Sequence, residues 1–167
     1  MNCTLLWLFL ITIQITQGIY IDVPFVHQAP NYCGPAALTM VMKHWKWSGS
    51  QHDIARHHLP FPKHGLTGEE LKRLAEVEGF RAVVFRGDSS RLRNLIRQGR
   101  PIIVAIDASQ FSAIRHFVVI VGWDEEEDAW LVHDPAGGPY IRQKRPHFER
   151  SWRKVDCWSM LVLPRAD

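Results

Sequence analysis

His27-Gln-Ala-Pro-Asn-Tyr-Cys-Gly-Pro-Ala-Ala-Leu38 is the stretch from which the rest of the chain can be read. Pro30 and Asn31 are turn formers. Pro35 is tolerated only near a helix start, where its missing N–H is not needed. Beyond it Ala36, Ala37, Leu38, Met40, Val41, Met42 and Trp45 make an apolar-rich run suited to a buried helix. The pattern predicts a turn that delivers Cys33 onto the first turn of that helix. Unpaired backbone N–H groups and the positive end of the helix dipole converge there. Such a position favours thiolate over thiol. Gln28 lies just upstream, where a side-chain amide can donate to an oxyanion forming beside the sulfur. A lone cysteine is more often a small buried hydrophobe than a nucleophile, so the reading of Cys33 depends on partners elsewhere.

Those partners are expected in the second half. Arg115-His-Phe-Val-Val-Ile-Val-Gly-Trp123 is a continuous apolar run headed by His116. Acidic Asp124 to Asp128 reads as a turn, and Ala129 to His133 as the returning hairpin strand. Asp134 follows it, in Leu-Val-His-Asp-Pro. If the two strands pair, the start of one lies beside the end of the other, and His116 meets Asp134. A carboxylate there holds the imidazole in the tautomer whose other nitrogen faces a thiol. Taken singly, Asp134 reads as a turn former before proline and His116 as a strand-boundary residue. His133, adjacent to Asp134, competes for the role of base but points to the opposite side of an extended strand.

Together these stretches resemble the papain-like cysteine peptidases of the bacteriocin-processing type, family thirty-nine, and especially its stand-alone members. Gln28 through Ala36 match the family's cysteine motif, His116 to Gly122 its histidine motif, and Asp134-Pro135 its aspartate-proline element. Gly65-Leu-Thr-Gly-Glu-Glu-Leu71 and Gln98-Gly-Arg-Pro-Ile-Ile-Val104 also look familial. The resemblance runs from about Val23 to Leu163. It implies Cys33 as nucleophile, His116 as general base and acid, Asp134 as orienter and Gln28 as oxyanion donor, with no cofactor. It implies a peptide or protein substrate and association with an export system. The best-known members cut leader peptides after paired glycines and are fused to an ABC exporter. This chain carries neither a transmembrane bundle nor a phosphate-binding loop. The same chemistry would also serve a peptidyl transferase, and the same fold a non-catalytic peptide-binding domain.

The remaining sequence sets the frame. One domain of 167 residues, 46% hydrophobic and 22% charged, is ordinary for a globular protein. A net charge of +3 is too mild to argue for nucleic acid, and Arg91, Arg93, Arg97 and Arg100 follow helical spacing, as a solvated face does. Met1 to Gly18 reads as a signal peptide, with an apolar run from Leu5 to Ile15 and small residues before Ile19. Residues 19–167 then form an exported peptidase domain, periplasmic or secreted, or membrane-anchored if the segment is retained. Cleavage would remove Cys3 and leave Cys33 and Cys157, expected as free thiols with Cys157 inert in an apolar strand. His44, His52, His57, His58 and His64 do not fall at a recognised metal-ligand spacing.

The expected fold is α+β, helices first and an antiparallel sheet after them. Ser50 with Asp53, and Thr67 with Glu70, read as capping boxes. Ser89 or Ser90 is the expected cap of a later helix ending at Gly99, and a helical turn is expected near Phe148 to Trp152.

Overall fold

The computed structural model describes residues 18–60, 62–107 and 115–165. The expected signal segment falls almost wholly outside them, as does Cys3. The described residues form five helices and seven strands in the order β1 (Ile19–Tyr20), α1 (Cys33–His44), α2 (Gln51–Arg56), α3 (Gly68–Val77), β2 (Phe80–Arg86), α4 (Ser89–Arg97), β3 (Ile102–Asp107), β4 (Arg115–Asp124), β5 (Ala129–Asp134), β6 (Gly138–Lys144), α5 (Arg145–Arg153) and β7 (Trp158–Pro164).

The architecture is α+β. All strands join one antiparallel sheet in the order β2-β7-β3-β4-β5-β6, with β1 pairing the far half of β4. Helices lead and strands follow, as expected from the sequence, with two exceptions. The early strand β2 crosses to pair with the last strand β7, and α5 sits between the last two strands.

The expected capping boxes are present. Ser50 and Asp53 close one on α2, and Thr67 and Glu70 close the other on α3. The cap of α4 is Asp88, not Ser89 or Ser90: its Oδ1 accepts from Arg91 N–H at 2.9 Å. A carboxylate one residue earlier reaches the same orphan donor and suits the positive helix end better than a hydroxyl. Near Phe148 the expected turn is a full nine-residue helix, because Phe148 and Trp152 fall on one face and are both buried.

Helix α1 is buried on every side from Gly34 to Met42. A helix apolar all round belongs inside, and α1 packs across β3, β4 and β7 while α2 and α3 flank it. Strands β3 and β4 are buried at consecutive positions, so both faces of the sheet centre are covered. The N-terminus of α1 therefore meets the start of β4 in the interior.

Candidate active site

Cys33 is the first residue of α1. Asn31, in the left-handed region at φ 66°, and a Tyr32 N–H to Ala29 C=O bond of 2.9 Å turn the chain into the helix. Tyr32 at the N-cap offers no side-chain acceptor, so the first N–H groups are left for other partners. The Gly34 N–H is one of them and favours a negative charge on the Cys33 sulfur, as does the Phe117 N–H on β4. Gly34 itself has little room for a side chain: a Cβ there would lie 3.3 Å from Leu71 and 3.4 Å from Phe117.

His116, next to Phe117, hydrogen-bonds the Cys33 sulfur. Its Nε2 lies 2.6 Å from Asp134 Oδ1, which leaves Nδ1 for the sulfur. Asp134 is oriented in turn by the Ala136 N–H, at 2.9 Å. The side chains of His116 and Asp134 are only 14% and 21% exposed, so water screens this line weakly.

The three groups shift one another's protonation. Burial alone would push the Cys33 thiol up, but the His116 hydrogen bond, the Phe117 N–H, the imidazolium charge and the Gly34 N–H together bring it below its ordinary value. Burial would likewise lower His116, yet the bonds to Asp134 and Cys33 and their charges raise it to about 9. Burial opposes the ionised form of Asp134 as well, and the His116 bond and charge overcome it, holding the carboxyl below its usual range. All three shifts run toward thiolate, imidazolium and carboxylate. Such a row carries an activated nucleophile next to a proton donor.

Gln28 belongs to the neighbouring loop. Its backbone N–H donates to Pro135 C=O at 3.0 Å, tying the approach to Cys33 to the turn after Asp134. Its Oε1 is buried without a partner among the described residues. No hydrogen bond joins Gln28 to Cys33, and the Ala29–Tyr32 turn sets their relation.

The pairing of β4 with β5 decides which side chain His116 meets. Val119 pairs with His133 and Ile120 with Val132, a register that carries Val118 opposite Asp134 and puts His116 on the same face, one diagonal step away. Nearer the hairpin, Gly122 pairs with Leu131, so Val121 is an extra residue in β4. Without that bulge the register from the hairpin would bring His133, not Asp134, to the face of His116. His133 instead lies fully buried on the other face, where its Nε2–H donates to Val23 C=O at 2.9 Å and its Nδ1 accepts from Tyr140 N–H at 3.1 Å. Gly122 seats the bulge: a Cβ there would lie 2.7 Å from Ile19 O and 3.0 Å from Tyr20 Cα.

Of the residues singled out in the sequence, the structure joins Cys33, His116 and Asp134 by hydrogen bonds and sets Gln28 in the loop beside them. The other cysteine, Cys157, is also free. It lies in a turn at φ 52° just before β7, not in an apolar strand, and burial raises its thiol. His57 pairs with Glu78 and His58 with Glu70 on the surface, away from these groups.

A family profile, the Peptidase_C39 like family, matches residues 20–160. The chain belongs to that family. Family and fold agree. A protein from Bacillus anthracis assigned as a C39-like peptidase superposes with a TM-score of 0.75 at 16% identity, over 91% of this chain and 100% of its own. The peptidase domain of Streptococcus ComA, a bi-functional ABC transporter of a quorum-sensing pathway, reaches 0.71 at 20% identity, over 87% of this chain and 100% of its own. A double glycine motif protease from an AMS/PCAT transporter, solved with its leader peptide, reaches 0.70 at 20% identity, over 89% and 99%. No protein with a curated description matches. Membership of a C39-like family in a C39 peptidase fold supports a peptidase-type function. Among the described residues no helix is long and apolar enough to cross a membrane.

Sequence reasoning passed over two features of this C39-like site. The bulge at Val121 had a signal in Gly122, since glycine inside a strand marks a bulge or a close backbone approach. The second is Gln51, whose side chain hydrogen-bonds the backbone on either side of Gln28. It sits beside the Ser50–Asp53 capping box, a pattern that signals only a helix start.

Proposed function

We propose that this protein is a cysteine peptidase that cleaves peptide bonds with Cys33 as nucleophile, His116 as proton carrier, Asp134 as orienter and Gln28 as oxyanion donor. The observation that carries the reading is the buried hydrogen-bonded row Cys33–His116–Asp134, with the thiol lowered and the imidazole raised to about 9.

The Cys33 thiolate attacks the scissile carbonyl carbon. A C–S bond forms, and the carbonyl electron pair moves to oxygen. That oxyanion is held by the Gln28 amide and the Cys33 backbone N–H, donors that gain most as charge develops. The tetrahedral intermediate collapses, the C–N bond breaks, and the departing amine takes its proton from the His116 imidazolium. Neutral His116 then draws a proton from water, whose oxygen attacks the thioester. The acid leaves, and thiolate and imidazolium are restored. Asp134 stays ionised throughout and keeps Nδ1 aimed at the sulfur.

Similarity to the double glycine motif protease solved with its leader peptide supports a small-residue cleavage site in a peptide leader as the first substrate to try. The apolar run from Leu5 to Ile15 supports export of the mature domain, and amino-terminal sequencing of native protein beginning near Ile19 would bear that out. Activity is tested with an N-acylated Gly-Gly p-nitroanilide and with a proteome-derived peptide library whose new termini are read by mass spectrometry. Turnover lost in Cys33→Ala supports the peptidase. Binding of peptides without any new terminus, in wild type and variant alike, would make the chain a peptide-binding module.

A further inference from the structure

Gln51 is the first residue of α2, a helix too short to shape the core by itself. Its side-chain amide makes two hydrogen bonds to the loop that carries Gln28. Oε1 accepts from Ala29 N–H at 2.9 Å, and Nε2 donates to His27 C=O at 2.8 Å. These are the two backbone groups flanking Gln28. In an extended segment they point to one edge, while the N–H of the residue between them points to the other. That other edge is also occupied, by the Gln28 N–H to Pro135 C=O bond of 3.0 Å. Gln28 is thus paired on both edges like a residue of a central strand, with Gln51 supplying the whole of one neighbouring strand.

Only a primary amide presents a donor and an acceptor side by side to match such an edge. Ala29 also opens the turn to Cys33 through its own carbonyl, so a bond to its N–H bears on the spacing between Gln28 and the sulfur. Gln51 is itself held firmly. Ser50 N–H donates to Asp53 Oδ2 at 2.8 Å in the capping box, and Ile54 and Ala55 bury the helix against the core.

We infer that Gln51 is a positioning residue that clamps the backbone of Gln28 so that its amide is aimed at the oxyanion; the inference rests on the oxyanion role proposed above for Gln28. Gln51 touches none of the Cys33–His116–Asp134 row, so its loss should spare thiolate formation and slow only the step in which negative charge grows on oxygen.

A double-mutant cycle on the Gly-Gly p-nitroanilide separates the possibilities. Gln51→Ala is expected to lower kcat about 10- to 100-fold, as small misplacements of a catalytic group do, with KM and the iodoacetamide alkylation rate of Cys33 unchanged. Gln51→Glu keeps the bond from Ala29 and loses the one to His27; it should fall between, and carries the test if the alanine variant does not fold. In the Gln28→Ala background either change should cost less than about twofold, because the group it positions has gone. Full kcat in Gln51→Ala, or losses that multiply in the double variant, would overturn the clamp while leaving Gln28 in place. A silent Gln28→Ala would overturn the oxyanion role, and the clamp with it.

Discussion

Two histidines on neighbouring strands, His116 on β4 and His133 on β5, have been given opposite tasks by their surroundings. His116 stands between a sulfur and a carboxylate, and both of them favour its protonated form. His133 stands between a carbonyl that takes its one proton and an N–H that occupies its lone pair. Burial then pushes it below its ordinary value, and the ring stays neutral. The first can carry a proton between substrate and solvent. The second is a hydrogen-bonding brace that joins Val23 to β6. Residue type is the same; the difference lies in which face of the β4–β5 pair each occupies.

The strongest test of that contrast removes each ring in turn. His116→Ala should lower peptidase kcat by a factor on the order of 10⁴–10⁶, as loss of a triad base does elsewhere. His133→Leu should leave kcat of the folded protein unchanged. Comparable losses in the two variants, measured with equal folded fractions, would break the comparison.

Next in size is Asp134→Ala, expected to cost on the order of 10²–10⁴ in rate because the imidazole is free to turn. It also moves the pH profile. In the wild type, kcat/KM should fall as pH rises through about 9, where His116 loses the proton it must give to the leaving amine. Without the Asp134 bond and charge the imidazolium is less stable, so the alkaline limb should shift to lower pH. An unmoved limb would mean that Asp134 does not act on His116.

Smaller effects separate the pair through stability. His133→Leu leaves Val23 C=O and Tyr140 N–H without their partner, at about 1–3 kcal/mol for each buried group, read from urea unfolding. The pH signs also oppose. His116 has a raised folded value, so its contribution to stability is complete below about 6.5 and is lost as pH rises through about 9. His133 has a lowered folded value, so it costs stability as pH falls below about 6.5, where the unfolded chain takes up a proton that the folded chain refuses. His133→Leu should therefore blunt the acid sensitivity and leave the alkaline side unaltered.

The smallest change extends the contrast to the cysteines. Limited alkylation at mildly acidic pH, mapped by mass, should label Cys33 beside His116 before Cys157, whose thiol is raised. Labelling of Cys157 first would leave Cys33 without its imidazolium.

Much of this was legible from local chemistry. Pro35 and the apolar run after it specify a helix beginning at Cys33, because a proline cannot sit deeper and an all-apolar helix must be buried. Ser50 with Asp53 and Thr67 with Glu70 announce helix starts through reciprocal short-range bonds. The hairpin of β4 and β5 follows from two apolar runs and an acidic turn. In each case the residues that decide the outcome lie within a few positions of one another. Three things were decided only by tertiary structure. The extra residue at Val121 selects Asp134 over His133, and strand register depends on how β1 packs on Gly122, a residue about 100 positions away from it. The protonation of Cys33 and His116 depends on the fold bringing Cys33 from α1 and Asp134 from β5 to either side of His116, where their bonds and charges outweigh the opposing effect of burial. Gln51 meets the Gln28 loop across 22 and 24 positions, a distance at which no periodicity or spacing rule applies and only the docking of α2 on the core brings the amide to the backbone it holds.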